Sequence, residues 1–241
     1  MSEPPDLHVL TYAGSDSQPA VSSDGKLLFA SNRSGHFEIW MAERDGNGAR
    51  CVSSDGKDAE NPSMTPDGRW IVYASADPLK RGIWKVRPNG SSSTLLAGGQ
   101  YILPEISPDG TLVSFSAPVA TDTNIRAVRL SDGAPVSLDI PVKGDRFSRG
   151  RHRWLAGSEV AMLVDNDKGG IGVVREAFSP GHDTAATRRL IIGIESDSLV
   201  ESLGISPDGT RMTLGEVSLS TNLILAEGID GVLGVPGTAR K

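Results

Sequence analysis

Residues 61–74 read NPSMTPDGRWIVYA, in which a Pro-Asp-Gly turn joins two short runs that are each typical of a strand. The phrase returns as LPEISPDGTLVSFS at 103–116 and as SLGISPDGTRMTLG at 202–215, and an earlier version, QPAVSSDGKLLFAS, occupies 18–31. Its first three copies follow one another at intervals of 43 and 42 residues. A constant period in this range, with several short apolar runs per period, is the signature of β-propeller blades.

The period also predicts a disguised copy. Asp208 follows Asp109 by 99 residues, which is about two periods, so one degenerate copy should lie between them. Residues 151–164, RHRWLAGSEVAMLV, fill this place, with Ala-Gly-Ser at 156–158 where the other copies have Pro-Asp-Gly or Ser-Asp-Gly. Trp154 then takes the position that apolar residues hold in the other copies.

Each copy is predicted to form four antiparallel strands, A to D. Strand A precedes the Asp-Gly turn, strand B follows it at Lys26–Ser31 or Arg69–Ser75, and strand D comes later, as at Thr94–Ala97 or Pro135–Ile140. The connections are polar and rich in glycine, as hairpin turns are. No segment shows a sustained apolar period of 3.6 residues, so helices should be nearly absent.

The two ends of the chain predict how the ring closes. The last copy supplies strands A to C, and DLHVLTYA at 6–13 is a strand without a blade before the first copy. We therefore predict a single all-β domain, a five-bladed β-propeller of four-stranded antiparallel blades whose last blade the N-terminal strand completes. The predicted blades are 17–54, 60–98, 102–141, 150–194, and 200–227 with 6–13, followed by a tail at 228–241. The alternative that the chain is part of a longer propeller stays open.

Composition excludes several classes of protein. The formal charge of −6 disfavours a nucleic-acid partner, which needs clustered Lys and Arg. Cys51 is the single cysteine, so no intramolecular disulfide or cysteine-rich metal site is possible. No run approaches the roughly 18 apolar residues of a membrane span, so we expect no direct membrane insertion. We also expect a monomer.

The repeated turn residues have a sufficient structural cause. Proline presets the backbone of a turn, aspartate accepts hydrogen bonds from nearby N–H groups, and glycine takes a positive φ. The four repeated aspartates are therefore predicted to shape A–B hairpins rather than to form a site: Asp24, Asp67, Asp109 and Asp208. The tryptophans are predicted to pack between blades: Trp40, Trp70, Trp84 and Trp154.

The pattern QPAVSSDGKLLFASNRSGHFEIWMAERDGNGA at 18–49 resembles the TolB-type WD-like β-propeller repeat, a bacterial family. Residues 61–86, 103–128 and 202–226 look the same, and the fourth copy is divergent. The C-terminal half is similar to propellers at the ends of bacterial receptor-like serine/threonine kinases and of some regulators. The resemblance implies a module that binds a ligand or a protein, often outside the cytoplasmic membrane.

The blade topology predicts where a site would lie. In an up-and-down blade the D–A and B–C loops share one face, opposite the Asp-Gly turns, and loops on a rigid scaffold carry function. The aligned entries to strand A form one ring of residues: Gln18, Asn61, Leu103, Arg151 and Ser202. Two positions later the aligned residues are Ala20, Ser63, Glu105, Arg153 and Gly204.

The candidate ligand-binding residues come from these rings: Arg151, His152, Arg153, Glu105, Asn61 and Gln18. Arg151, His152 and Arg153 could receive an anionic group such as a carboxylate or phosphate, unless strand alternation turns them to different sides. Glu105 and Arg153 could form an ion pair between adjacent blades or stand exposed beside a ligand. The expected partner is a protein or peptide, or a small ligand, anionic ligands included.

Catalytic and metal-binding interpretations have less support. Asp165 and Asp167, with Gly170 and Glu176, match the outer positions of a calcium loop, but Gly169 stands where a fifth-position oxygen ligand belongs. The four histidines show no ligand spacing. We therefore expect no metal, no cofactor and no catalytic residues.

An enzyme working in the channel is the rival hypothesis. It would be a glycosidase that uses Glu60, Glu105 or Glu201, or else a metal-assisted hydrolase or lyase. Basic and neutral residues occur at the predicted strand entries as often as acidic ones, which favours binding.

Deletion of residues 1–13 should test closure of the ring. We expect a strong destabilisation, because the last blade would lose its outer strand and expose an unpaired edge. Thermal unfolding of the full and shortened chains measures the effect. An unchanged melting temperature would show that 6–13 is not part of the ring.

Overall fold

The computed structural model describes residues 10, 14–54, 56, 58–120, 122–142, 151–156, 158–165, 170–194, 199–205 and 212–217. Within these residues the chain is built from strands and one turn of 3₁₀ helix at Ala185–Thr187. The strands of the first half are β1 (Asp16–Val21), β2 (Leu27–Ser31), β3 (Glu38–Ala42), β4 (Arg50–Cys51), β5 (Ala59–Met64), β6 (Ile71–Ser75), β7 (Gly82–Val86) and β8 (Thr94–Gly98). Those of the second half are β9 (Ile102–Ile106), β10 (Leu112–Val119), β11 (Asp122–Arg129), β12 (Ile140–Val142), β13 (His152–Leu155), β14 (Glu159–Asp165), β15 (Ile171–Ala177), β16 (Arg189–Ile194), β17 (Leu199–Ile205) and β18 (Met212–Val217).

The strands form consecutive antiparallel sheets. Four sheets have four strands each in chain order, β1 to β4, β5 to β8, β9 to β12 and β13 to β16, and β17 pairs with β18 in a smaller sheet. The prediction of an all-β chain with four-stranded antiparallel units is confirmed. The segment 6–13 and the predicted strand C of the last copy lie outside the described residues, so the five-bladed ring stays a prediction.

In the first three sheets the repeated phrase closes the A–B hairpin through a buried hydroxyl group. Thr65 Oγ1 donates to Asp67 Oδ1 at 2.7 Å and accepts the Arg69 N–H at 3.1 Å, while Gly68 takes a φ of 69°. Ser107 and Asp109 repeat the first contact at 2.6 Å. Ser22 and Asp24 make the equivalent bond in the first copy. The structural role predicted for these aspartates is confirmed, and Asp208 lies outside the described part of the chain.

Apolar clusters fill the space between consecutive sheets. The first and second sheets share a cluster around Leu28, Ile39 and Tyr73. The following interfaces are centred in turn on Phe115, on Met162 and on Leu163 with Leu203. Burial of each such side chain contributes about 1.5–3 kcal/mol, so the sheets are held together mainly through their faces.

Two details differ from the sequence prediction. Trp70, Trp84 and Trp154 pack against the clusters between sheets, but Trp40 lies instead beneath Arg33, whose guanidinium carbon is 4.9 Å from the ring centroid. The predicted strand at 135–140 is broken, because Pro135 forms only an isolated bridge with Val128 and regular pairing resumes at Ile140.

The turn aspartates should make stability depend on pH. Hydrogen bonds, chiefly from Lys26 and Thr65 respectively, lower the pKa of Asp24 and of Asp67 to about 2, below the value of about 3.9 in an unfolded chain. The stabilisation is complete above the unfolded pKa and is lost as the pH falls from about 4 towards 2.

We therefore expect Asp67→Asn to lower the melting temperature at pH 7 and to reduce its further decrease between pH 4.5 and pH 2. Thermal unfolding followed by circular dichroism at a series of pH values measures both effects. Parallel curves for the variant and the original chain would contradict a role for the ionised Asp67 carboxylate.

Candidate functional site

The first strands of the five sheets, β1, β5, β9, β13 and β17, contact one another in chain order and are called the inner strands. A repeated irregularity marks the inner strands of the first three sheets. The first residue of the predicted ring is left-handed in three consecutive sheets, with φ of 53° at Gln18, 54° at Asn61 and 55° at Leu103. The pairing of each inner strand with its neighbour shifts in register at these positions, as in a β-bulge. A bulge redirects the side chains that follow it. Sequence periodicity carries no signal for this change of direction.

Gln18 joins the first two sheets. Its Oε1 accepts the Asn61 backbone N–H at 2.7 Å, and its Nε2 donates to Glu60 Oε2 at 3.2 Å. The redirected amide therefore supplies both an acceptor and a donor to the next inner strand. Of the candidate residues, Gln18 and Asn61 are brought together by the fold.

Glu105 and Arg153 join the third and fourth sheets. Arg153 Nη1 donates to Glu105 Oε1, and the same nitrogen also reaches the His152 carbonyl at 3.1 Å. Burial lowers the pKa of Arg153 to about 10, so its guanidinium stays charged at neutral pH. The ion pair considered in the sequence analysis is present.

His152 faces the opposite side of β13 from Arg153. Its ring is fully buried, and Nε2 lies 2.7 Å from Ser114 Oγ, which also accepts the indole N–H of Trp154 at 2.9 Å. Arg151 comes just before β13, and its carbonyl accepts the Leu163 N–H at 3.0 Å. Strand alternation thus separates His152 from Arg153, and the two do not converge on one ligand.

A cleft of about 320 Å³ opens on the face of the D–A and B–C loops, between the second and third sheets. Its polar lining includes Asp58, Glu60 and Arg81, and its apolar lining includes Tyr101 and Pro118. Glu60 lies in β5 and also accepts from Gln18, so the cleft adjoins the inner strands. Arg81 belongs to a B–C loop, and Pro118 lies at the end of β10, next to another B–C connection. Loops of this class are where the sequence predicted function.

The described residues offer few elements of a metal or membrane site. Among them, no three His, Cys, Asp or Glu side chains gather closely enough to hold a metal ion. The predicted calcium loop includes residues 166–169, which are outside the described ranges. No helix in the described part of the chain is long and apolar enough to cross a membrane.

Comparison with known proteins relates this architecture to bacterial relatives. No family model matches the chain. An uncharacterised protein of Agrobacterium fabrum, Atu1656, is 34% identical over 154 residues, which are 59% of this chain and 52% of that protein. The Tol-Pal system protein TolB of Campylobacter jejuni is 26% identical over 114 residues, which are 46% of this chain and 28% of TolB.

The structural comparison agrees with the sequence comparison. TolB from Acinetobacter baumannii superimposes with a TM-score of 0.62 at 17% identity, over 83% of this chain and 48% of that one. The chain carries TolB-like β-propeller repeats. The TolB-like chain spans about half or less of the length of these relatives.

The ion pair between the third and fourth sheets should matter for stability. We expect Glu105→Gln to lower the free energy of unfolding by about 1–3 kcal/mol, because the half-buried Arg153 loses its charged partner. The double variant Glu105→Gln/Arg153→Met should lose less than the sum of the single variants, because neither charge remains. Urea denaturation measures the free energy of unfolding of Glu105→Gln, of Arg153→Met and of the double variant.

Glu159→Gln provides the matched control. It removes one partner of the more exposed Arg175–Glu159 pair, whose atoms are 3.5 Å apart, so its effect should be below about 1 kcal/mol. Strictly additive losses in the Glu105 and Arg153 variants would show that the two residues do not depend on each other.

Proposed function

We propose that this TolB-like propeller is a non-catalytic binding module that recognises a peptide segment of a partner protein on the face of its D–A and B–C loops. The observation that carries the proposal is the cleft between the second and third sheets, which combines charged and apolar side chains at the predicted face. A cleft on a rigid scaffold with a few convergent polar groups is the usual form of a binding site.

The charges of the cleft suit a peptide. Within the described residues neither Asp58 nor Arg81 takes part in an ion pair, so each has a charge to offer a partner. Ile102, which is 39% exposed, and Pro118 supply apolar surface on the same cleft. A peptide can present a basic side chain to Asp58, an acidic one to Arg81 and an apolar one to Ile102 and Pro118.

The inner-strand carboxylates favour binding over the rival enzyme. Glu60 accepts from Gln18, and Glu105 is paired with Arg153, so each connects neighbouring sheets. A glycosidase needs one carboxylic acid and one carboxylate directed at the scissile bond. Carboxylates that serve as links between sheets support a structural role.

In this proposal residues 6–227 form a closed ring of five blades located outside the cytoplasmic membrane. The two-stranded sheet β17–β18 would gain its remaining strands from the C-terminal part of the chain and from 6–13. Support for the location comes from the resemblance to TolB, a protein of the Tol-Pal system. Support for sheets stacked in chain order, as such a ring requires, comes from the contacts of β5 with β1 and β9, and of β13 with β9 and β17.

Peptides selected by display against the purified chain should test the binding function. We expect Arg81→Ala to lower the affinity for the selected peptides at least about tenfold, because a hydrogen bond to a charged group contributes about 1.5–3 kcal/mol. Isothermal titration calorimetry measures the affinities.

Arg69→Ala is the matched control. Arg69 is an exposed arginine paired with Asp67 in an A–B turn, on the opposite face, so its removal should leave the affinities unchanged. Equal affinities for the Arg81 variant and the original chain would place peptide binding away from the cleft. Failure of every library to yield a binder would contradict the proposed function itself.

A further inference from the structure

A second and larger cleft, of about 680 Å³, lies on the outer side of the propeller. It is bounded by β8 of the second sheet and by β11 with residues 135–139 of the third sheet. Gly181 and His182, from the loop after β15, form part of its rim. We refer to it as the lateral cleft. It shares Tyr101 with the cleft on the loop face, but the ligand argued for it does not rest on peptide binding there.

The lateral cleft coincides with the broken outer strand of the third sheet. Pro135 and Val136 still bond to β11, but pairing resumes only at Ile140, which leaves residues 137–139 outside the regular ladder. The Gly181 N–H donates to the Ser137 carbonyl at 2.6 Å and so holds this segment in place. The interrupted segment is therefore held in a defined position by a hydrogen bond from the fourth sheet's loop.

The second and third sheets approach each other closely at one side of the lateral cleft, where Gly133 faces β8. Gly133 takes a φ of 73°, and a Cβ atom there would lie 2.5 Å from the Leu96 carbonyl oxygen of β8. Only glycine allows the two sheets to approach this closely. The width of the cleft at this point is thus set by backbone atoms.

The lateral cleft combines an aromatic ring with a charged pair. Tyr101 packs on Phe115 with ring centroids 4.6 Å apart, and the Tyr101 side chain is only partly buried. Arg126 Nε donates to Asp139 Oδ1 at 2.7 Å, and the two side chains are 39% and 52% exposed. The hydrogen bond that Arg126 donates to Asp139 raises the pKa of Arg126, so its guanidinium remains charged at neutral pH.

These groups match a neutral, polyhydroxylated ring. The Arg126–Asp139 pair has no net charge, so it attracts neither an anion nor a cation strongly, yet it presents N–H donors beside carboxylate acceptors. Adjacent hydroxyl groups of a sugar can donate to Asp139 and accept from Arg126. Tyr101 and the apolar side chains of Leu96 and Val136 can contact the C–H face of the same ring.

We propose that the lateral cleft binds a neutral hexose unit of an oligosaccharide. Asp139 and Arg126 contact adjacent hydroxyl groups, Tyr101 contacts the sugar face, and His182 lies at the rim. The volume of the cleft is in the range of small-molecule sites, which are about 300–1,000 Å³.

Titration of the full chain with maltotriose, cellotriose and chitotriose tests this proposal. We expect at least one of them to bind and to shift backbone amide resonances of residues 126–139 in nuclear magnetic resonance spectra. Asp139→Asn should weaken that binding at least about tenfold, because a charged acceptor is lost. Asp139 is half exposed, so the variant should keep the melting temperature of the original chain.

Glu159→Gln is the matched control, because it alters an exposed Arg–Glu pair on β14 and β15, outside the lateral cleft, and should leave the affinity unchanged. Absence of binding by all three trisaccharides would overturn the proposal. Binding of trigalacturonate in preference to them would also overturn it, because that ligand is anionic. Equal affinity of the Asp139 variant would place the sugar elsewhere.

Discussion

The structure depends on the burial of each sheet face against the next sheet in the chain. A single four-stranded sheet of this size has two faces and no partner of its own, so Leu28, Phe115 and Met162 leave water only when neighbouring sheets stack. Stability in such a repeat protein is a sum of terms within units and between neighbours. Every unit must therefore keep the same shape, and this requirement explains why one short phrase recurs.

The hydroxyl–aspartate turn provides this constant shape. A buried Ser or Thr satisfies both the aspartate and a backbone N–H, which leaves no unpaired polar group beneath the hairpin. Because the turn is self-contained, the opposite loops are free to vary. The fourth copy lacks the Asp-Gly turn, and its four strands nevertheless form a sheet, against which the Trp154 and Phe178 rings pack with centroids 4.5 Å apart.

Polar side chains also connect adjacent sheets, beside the apolar clusters between them. Gln18 with Glu60, and Arg153 with Glu105, connect inner strands of adjacent sheets. Lys85 of β7 links the second sheet to the end of β11 in the third sheet: its Nζ donates to the Leu130 carbonyl at 2.7 Å and lies 4.7 Å from the Trp70 ring centroid. Charged residues at the interior of this propeller thus hold sheets in register. Surfaces suited to ligands lie in the clefts between sheets.

The amino-acid sequence by itself determined the period, the turns and the order of the strands, because these follow from local hydrogen bonding and from the alternation of apolar residues. It also pointed to the Glu105–Arg153 pair, since equivalent positions of adjacent repeats lie side by side. Only the tertiary structure decided that His152 and Arg153 diverge, that the inner strands bulge at Gln18 and Asn61, and that the outer strand of the third sheet is interrupted. These features arise from contacts between sheets, and residues far apart in the chain have no shared local pattern that would reveal them.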